Sequence, residues 1–261
     1  MNILFGDKKP IVGMVHLLPL PGSPRFNGDL DKIYSQALWE ARVLQDAGVD
    51  AIIVENFNDV PYRISDPELV DFALMAAITR EVKNMVRIPV GVNVQFNAWR
   101  SELAIACACG ADFIRVEVFV DTVITAQGIV LPCSSEIMRY RRSLDSKVQI
   151  WADVQTKHSA SLIPKALTQS AIEAQEAGAD AIIVTGEATG KATPLESIIE
   201  VKKVVTVPVL AGSGTNLENV AQVLKHADGV IVGSFLKEDG MVTNPVSPER
   251  ARLFVQAAHS K

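Results

Sequence analysis

Cysteine is scarce in this sequence, which has three in 261 residues: Cys107, Cys109 and Cys133. The chain opens Met-Asn-Ile-Leu-Phe-Gly-Asp-Lys-Lys-Pro, with the wrong charge order for an export signal and no cleavage-like site. An odd cysteine count without such a signal predicts reduced thiols and a cytoplasmic location. Cys107 and Cys109 lie where a helix is expected, and positions i and i+2 of a helix point apart, so they make no zinc spacing and are expected to pack. Long apolar runs are also missing. None approaches the roughly 18 residues that a spanning helix needs, so no transmembrane segment is expected. No block of five or more like charges occurs, and the net charge is −5. That balance argues against an extended nucleic-acid surface and against basic attraction to a membrane. With 48% hydrophobic and 21% charged residues, the composition fits a globular chain long enough to bury a large core.

One pattern recurs four times along the chain. Ala47-Gly48-Val49-Asp50-Ala51-Ile52-Ile53-Val54 is echoed by Cys109-Gly110-Ala111-Asp112-Phe113-Ile114-Arg115-Val116. Ala177-Gly178-Ala179-Asp180-Ala181-Ile182-Ile183-Val184 follows, and then His226-Ala227-Asp228-Gly229-Val230-Ile231-Val232. In the first three the glycine reads as a helix C-cap, and in all four the aspartate begins a β-branched strand. A second entry alternates with the first: Pro10-Ile11-Val12-Gly13, Pro89-Val90-Gly91-Val92 and Pro208-Val209-Leu210-Ala211, each with proline where a strand tolerates it. Val148-Gln149-Ile150-Trp151 fills the remaining slot. Eight strands follow, over about 11–17, 51–57, 89–96, 113–119, 148–154, 181–187, 208–213 and 229–235. Amphipathic helices are expected between them, near 30–46, 67–84, 98–109, 134–143, 168–177, 194–204, 217–225 and 248–260.

Short apolar strands alternating with helices predict a parallel sheet covered on both sides. An open doubly wound sheet lacks support, because no G-x-G-x-x-G turn follows the first strand. The expected fold is α/β, a single (β/α)8 TIM barrel occupying residues 1–261 as one domain. The Pro- and Gly-rich segment Leu17–Asp29 is its longest candidate loop at the active face, and a candidate lid.

The stretch Val207 to Ser234 carries the clearest chemistry. Val-Pro-Val-Leu-Ala-Gly-Ser-Gly-Thr-Asn ends one strand, and Ala-Asp-Gly-Val-Ile-Val-Gly-Ser ends the next. Gly212, Gly214 and Gly233 let main-chain N–H groups approach an anion. A helix after such a turn adds its free N–H groups and the positive end of its dipole. Loops after strands 7 and 8 of a barrel build a phosphate cup in this way, which points to Gly212, Ser213, Gly214, Thr215, Gly233 and Ser234. The sixth loop, from Thr185 through Gly186, Thr189 and Gly190 to Pro194, reads either as a flap over that phosphate or as an unusually long connector. It lacks the Walker spacing.

Barrel chemistry sits where strands end, and polar residues fall there. His16 closes strand 1, as an acid–base group or as a satisfied loop histidine. Glu55 and Asn56 close strand 2. Asn93 and Gln95 share a face of strand 3, and Arg115 and Glu117 share a face of strand 4, as catalytic groups or as a structural ion pair. Asp153 closes strand 5 and is the leading candidate for a general acid/base. Thr185 sits late on strand 6. Asp153, Glu55 and Glu117 offer oxygen ligands should Mg²⁺ accompany the phosphate. Lys157 follows in loop 5, to neutralise phosphate or shift a proton, or as an ordinary solvated lysine. A Schiff-base lysine is expected late on a strand, and no strand offers one, which argues against imine chemistry.

The opening Ile11-Val12-Gly13-Met14-Val15-His16-Leu17-Leu18-Pro19-Leu20-Pro21-Gly22-Ser23-Pro24 resembles that of the BtpA/SgcQ family. Val54-Glu55-Asn56-Phe57, Gly91-Val92-Asn93, Ala152-Asp153-Val154, Val184-Thr185-Gly186 with Thr189-Gly190, and Ala211-Gly212-Ser213-Gly214 resemble further blocks of it. The resemblance implies a ribulose-phosphate-binding type of barrel. The family is named for a role in photosystem I biogenesis, yet has members in non-photosynthetic organisms, some beside sugar-metabolism genes. It carries over no catalytic residues, so the assignments above rest on the residues alone.

Two functions fit. One is an enzyme acting on a sugar phosphate or nucleotide-like molecule, with Asp153, Glu117 and His16 in acid–base roles, and with Asn56, Asn93 and Gln95 orienting hydroxyls or a base. The other is a non-catalytic assembly factor for a membrane complex that retains the cup for a regulatory ligand. Barrels often self-associate through their outer helices, so a homo-oligomer is compatible with either, though no face is marked for it.

Overall fold

Alternate strands of the barrel are fastened at their N-terminal ends by the echoed aspartates. The computed structural model describes residues 4–64, 66–186 and 188–259. Its strands, in chain order, are β1 (Ile11–His16), β2 (Ala51–Glu55), β3 (Val90–Asn93), β4 (Phe113–Val116), β5 (Val123–Thr125), β6 (Gly128–Val130), β7 (Gln149–Val154), β8 (Ala160–Ser161), β9 (Ala181–Val184), β10 (Val209–Ala211) and β11 (Gly229–Val232). Eight of them close a parallel barrel in the order β1, β2, β3, β4, β7, β9, β10, β11. The helices are α1 (Leu30–Ala47), α2 (Leu69–Met85), α3 (Trp99–Cys109), α4 (Ser134–Ser143), α5 (Leu167–Glu176), α6 (Leu195–Lys202), α7 (Val220–His226) and α8 (Pro248–His259). The fold is the TIM barrel that the strand–helix alternation predicts. Expected ends at Glu187 and Ser260 lie outside the described residues.

Each echoed aspartate precedes its strand instead of opening it, and binds the neighbouring strand. The carboxylate of Asp50 accepts from Ile11 N at 2.9 Å, that of Asp112 from Val90 N at 2.8 Å, that of Asp180 from Ile150 N at 2.8 Å, and that of Asp228 from Val209 N at 2.9 Å. Three of them also take a cation: Lys83 on Asp112, Arg141 on Asp180 and Lys202 on Asp228. The N–H at the first position of β1, β3 and β10, and at the second of β7, lies next to the seam where the neighbouring strand has not yet begun, and a buried unpaired donor is costly. The repeated aspartate supplies the acceptor.

Two apolar layers result. One lies between strands and helices. The other fills the barrel and includes Val12, Met14, Ile53, Phe113, Trp151, Ile183, Leu210 and Ile231. Phe113 and Trp151 stack at 3.8 Å between centroids, in space left by Gly91, where a Cβ would run into the Phe113 ring. Trp151 is therefore a core plug beneath the mouth.

Two loops differ from expectation. Leu17–Asp29 is no lid: Leu17 and Leu20 are buried, Leu20 N donates to Asp59 at 2.8 Å and Gly22 N to Asp71 at 2.8 Å. Apolar anchors and two carboxylates pin it to the body. The longer excursion follows β4. There the β5–β6 hairpin and β8 form a separate three-stranded antiparallel sheet at the C-terminal face of the barrel. Strands of two or three residues carry too little alternation to be read in advance. Among the described residues, no helix is long and apolar enough to cross a membrane.

Candidate functional site

A cavity of about 530 Å³ opens at the C-terminal end of the barrel, and both Gly-Ser turns line it. Gly212, Ser213, Gly214 and Thr215 follow β10; Gly233 and Ser234 follow β11; Thr189 and Gly190 come from the sixth βα loop. The glycines are fixed by their surroundings. Gly214 has φ +64°, and a side chain there would run into the Lys191–Ala192 backbone. One at Gly212 would press on Ile183, and one at Gly233 would approach His16 Cε1 at 3.2 Å. Ser213 Oγ accepts from Gly186 N at 2.7 Å and donates to Lys191 O at 3.0 Å, so it ties two loops together. Thr215 Oγ1 is buried, without a partner, in a residue that lines the cavity. Gly186 and Thr185 stand behind this wall. The helix expected to follow the first turn closely begins only at Val220, so loop residues rather than that helix line the cavity here. After β11 the chain makes a 3₁₀ turn, Ser234–Leu236.

Arg250, from the first turn of α8, also lines the cavity. Its Nε donates to Phe235 O at 2.7 Å, and its guanidinium carbon lies 4.3 Å from the Phe235 ring centre. It has no carboxylate partner among the described residues. Its place in a helix after the last strand gave no signal in the sequence.

Strand ends and the loop after β7 supply more of the lining: His16, Glu55, Gln95, Arg115, Glu117 and Lys157. Arg115 pairs with Asp153 rather than with Glu117: Nε and Nη2 reach the two carboxylate oxygens at 3.0 and 2.9 Å. Asp153 also accepts from Thr156 Oγ1 at 3.1 Å. The leading acid–base candidate is thus held behind Arg115 in a bidentate pair, with its oxygens occupied. Asn93 and Asn56 are likewise turned to protein partners. Asn56 joins Asp59 at 3.0 Å and Gln95 N at 2.7 Å. Among the described residues no three His, Cys, Asp or Glu side chains converge as metal ligands, and Asp153 holds a guanidinium. Cys107 and Cys109 pack against Ser146 and Ala76 O.

Glu117 shares a donor with a residue that the strand pattern did not reveal, Glu102 of α3. Asn93 Nδ2 lies 2.7 Å from Glu117 Oε1 and 3.2 Å from Glu102 Oε1. Asn97 N donates to Glu117 Oε2 at 3.1 Å, while Glu102 Oε2 is buried without a partner. Burial pushes the Glu117 carboxyl up to about 8. Burial, and then the neighbouring Glu117 charge, push Glu102 well above the usual carboxylate range. Two carboxyls this close in a dry site do not both ionise at neutral pH. Burial also raises Glu55, whose Oε1 accepts from Gln95 Nε2 at 2.8 Å. His16 sits 3.9 Å from Glu55 Oε2 and stacks on Phe57 at 4.4 Å. Burial, and then the Lys237 charge, hold it well below its ordinary value, so it is neutral at pH 7.

With this geometry in view, the family can be stated. The BtpA family model matches residues 7–260. The chain belongs to the BtpA family. A protein of Thermococcus kodakarensis is 41% identical to this BtpA-family chain over 97% of it and 96% of the relative. The Photosystem I biogenesis protein BtpA of Synechocystis is 41% identical over 97% of this chain and 89% of the relative. Among solved structures, thiamine phosphate pyrophosphorylase from Pyrococcus furiosus superposes with a TM-score of 0.59 at 17% identity, covering 97% of this chain and 96% of that one. That likeness is one of fold.

Loops 5 and 6 of this BtpA-family barrel meet across the mouth. His158 Nε2 lies 2.9 Å from Thr189 Oγ1 and accepts from Thr189 N at 3.3 Å. Beneath the cup, Lys237 and Glu40 form a buried ion pair at 2.7 Å that fastens the segment after β11 to α1.

Proposed function

We propose that this chain is an enzyme acting by acid–base chemistry on a small phosphorylated molecule, a sugar phosphate or nucleotide-like compound. One observation carries the reading: the two Gly-Ser turns and the buried carboxyls Glu55 and Glu117 open into the same cavity. The loop amides, Thr215 Oγ1 and Arg250 offer donors to a phosphate dianion. Glu117, protonated near neutral pH, is suited to give a proton, and a neutral His16 or an ionised Glu55 to take one. Arg115, held by Asp153, faces developing negative charge. The name of the pyrophosphorylase neighbour, thiamine phosphate, agrees with this type of ligand.

The test is thermal shift against phosphorylated metabolites, since a ligand that binds only the folded form raises the Tm. Ser234→Asp, which sets a charge in the cup, is expected to abolish the shift while leaving the unliganded Tm nearly unchanged. Undiminished stabilisation in that variant would remove the cup from the reading. Gly212→Trp is a poorer probe, because its side chain would collide with Ile183.

A second reading, assistance in assembling a membrane complex, draws on the name of the Synechocystis relative. It draws also on the exposed apolar residues Ile124, Ile129, Leu131 and Ile163 on and beside the small sheet.

A further inference from the structure

Lys157 is the charged group at the mouth that the structure leaves without a role. It follows β7, within a turn whose flanking residues Gln155 and His158 have φ of 48° and 60°. The His158–Thr189 contact closes this turn onto loop 6. Lys157 lines the cavity into which the cup and the carboxyls Glu55 and Glu117 also open. No hydrogen bond or ion pair holds its Nζ among the described residues. Carboxyl oxygens near it already have protein donors: both of Asp153 from Arg115, Oε1 of Glu55 from Gln95, and both of Glu117 from Asn93 and Asn97 N. A lysine placed for structure ends on one of these acceptors, as Lys237 does on Glu40.

We propose that Lys157 is a Schiff-base lysine, condensing with the carbonyl carbon of a phosphorylated aldehyde or ketone whose phosphate occupies the Gly212–Thr215 and Gly233–Ser234 cup. This rests on the phosphate reading above and adds a covalent step to it. Such a lysine is expected late on a strand; Lys157 lies instead in the loop after β7, where the turn between Gln155 and His158 sets it on the cavity lining. Burial, and then the Arg115 charge, lower the amine below its ordinary value, favouring the nucleophilic free base. The amine lone pair adds to the carbonyl carbon. The carbonyl oxygen takes a proton from the Glu117 carboxyl, and the nitrogen gives one to Glu55, leaving a carbinolamine. Glu55 then returns that proton to the hydroxyl, and the nitrogen lone pair expels it as water, forming the protonated C=N bond with Glu117 and Glu55 both ionised. No oxidant or reductant is consumed. The iminium withdraws electrons from the adjacent carbon, which serves either proton transfer at that carbon or cleavage of the next C–C bond.

The experiment incubates the full chain with dihydroxyacetone phosphate or glyceraldehyde 3-phosphate and cyanoborohydride, then reads intact mass and maps the modified peptide. The expected result is one reduced adduct per chain at Lys157, absent in Lys157→Arg, suppressed by excess inorganic phosphate, and much weaker with unphosphorylated dihydroxyacetone. Competitive acetylation of the wild type gives a readout independent of substrate. Lys157 should react faster than an exposed lysine such as Lys8, by about tenfold for each unit by which its pKa is depressed. Adducts spread over surface lysines, or unchanged in Lys157→Arg, would overturn the proposal. If no adduct forms while inorganic phosphate still raises the Tm, the imine fails and the cup stands. If phosphate also leaves the Tm unchanged, both fail. Loss of that phosphate shift in Lys157→Met, with no adduct in the wild type, makes the lysine an anion ligand and also overturns the imine.

Discussion

Glu117 is where the site's chemistry and its stability meet. Its carboxyl is raised to about 8 in the folded chain, against an ordinary value near 4.3 in the unfolded one. The folded state therefore holds a proton that the unfolded state has lost between those two pH values. Stability from this group is complete below the lower value and drains away as pH rises through the upper one. Glu117→Gln should flatten that part of the profile, removing up to about 1.4 kcal/mol per pH unit of slope. Urea titrations of both proteins from pH 5 to 9 check this; parallel profiles would mean that Glu117 is ionised throughout. The residue was legible as a polar strand end, but its partner was not. Period-two alternation gives the face on which a side chain lies, whereas Asn93, Glu102 and Glu117 are brought together from a strand, a helix and a strand end. For the same reason Arg115 was read against Glu117, two residues away on its own strand. Asp153, on the neighbouring strand, offers it both oxygens in the geometry that a guanidinium prefers.

At the scale of elements, the strand and helix pattern was legible nearly throughout, because each barrel element has its own apolar period and the echo fixes the order. Ends were read long, as with β3, where apolar Val94 and Phe96 continue past the last ladder residue, Asn93. The echoed aspartates show what the repeat is for. They lie at the N-terminal face, away from the cavity, where barrels invest in stability rather than chemistry. Asp180→Ala removes the acceptor of Ile150 N and the partner of Arg141. The expected cost is about 1–3 kcal/mol, read as a lower urea midpoint, with phosphate-dependent thermal shifts retained. A loss of ligand response at unchanged stability would contradict this division of labour between the two faces. The small sheet of β5, β6 and β8 was missed for a different reason. Its strands are held by pairing with one another, locally in the β5–β6 hairpin and at long range between β5 and β8, not by a period within any one of them.

For the whole molecule, the two functional readings use different surfaces and can be separated. The cavity lies within the mouth, whereas Ile129 and Ile163 stand outward from the small sheet and its flank, the latter 72% exposed. The double variant Ile129→Asp, Ile163→Asp is expected to keep both the Tm and the ligand-induced shift within a degree or two, since exposed apolar positions contribute little to stability. Complementation in a photosynthetic host lacking its own relative then discriminates. Failure of this variant alongside success of Glu117→Gln favours assembly, and the reverse pattern favours catalysis.

The four aspartate clamps join β1 to β2, β3 to β4, β7 to β9 and β10 to β11, while the four intervening seams carry no such clamp. The cylinder is thus a ring of four clamped pairs of strands. The two Gly-Ser turns follow β10 and β11, the pair that Asp228 joins. A carboxylate at the far end of the barrel therefore holds in register the two strands that carry both halves of the proposed cup.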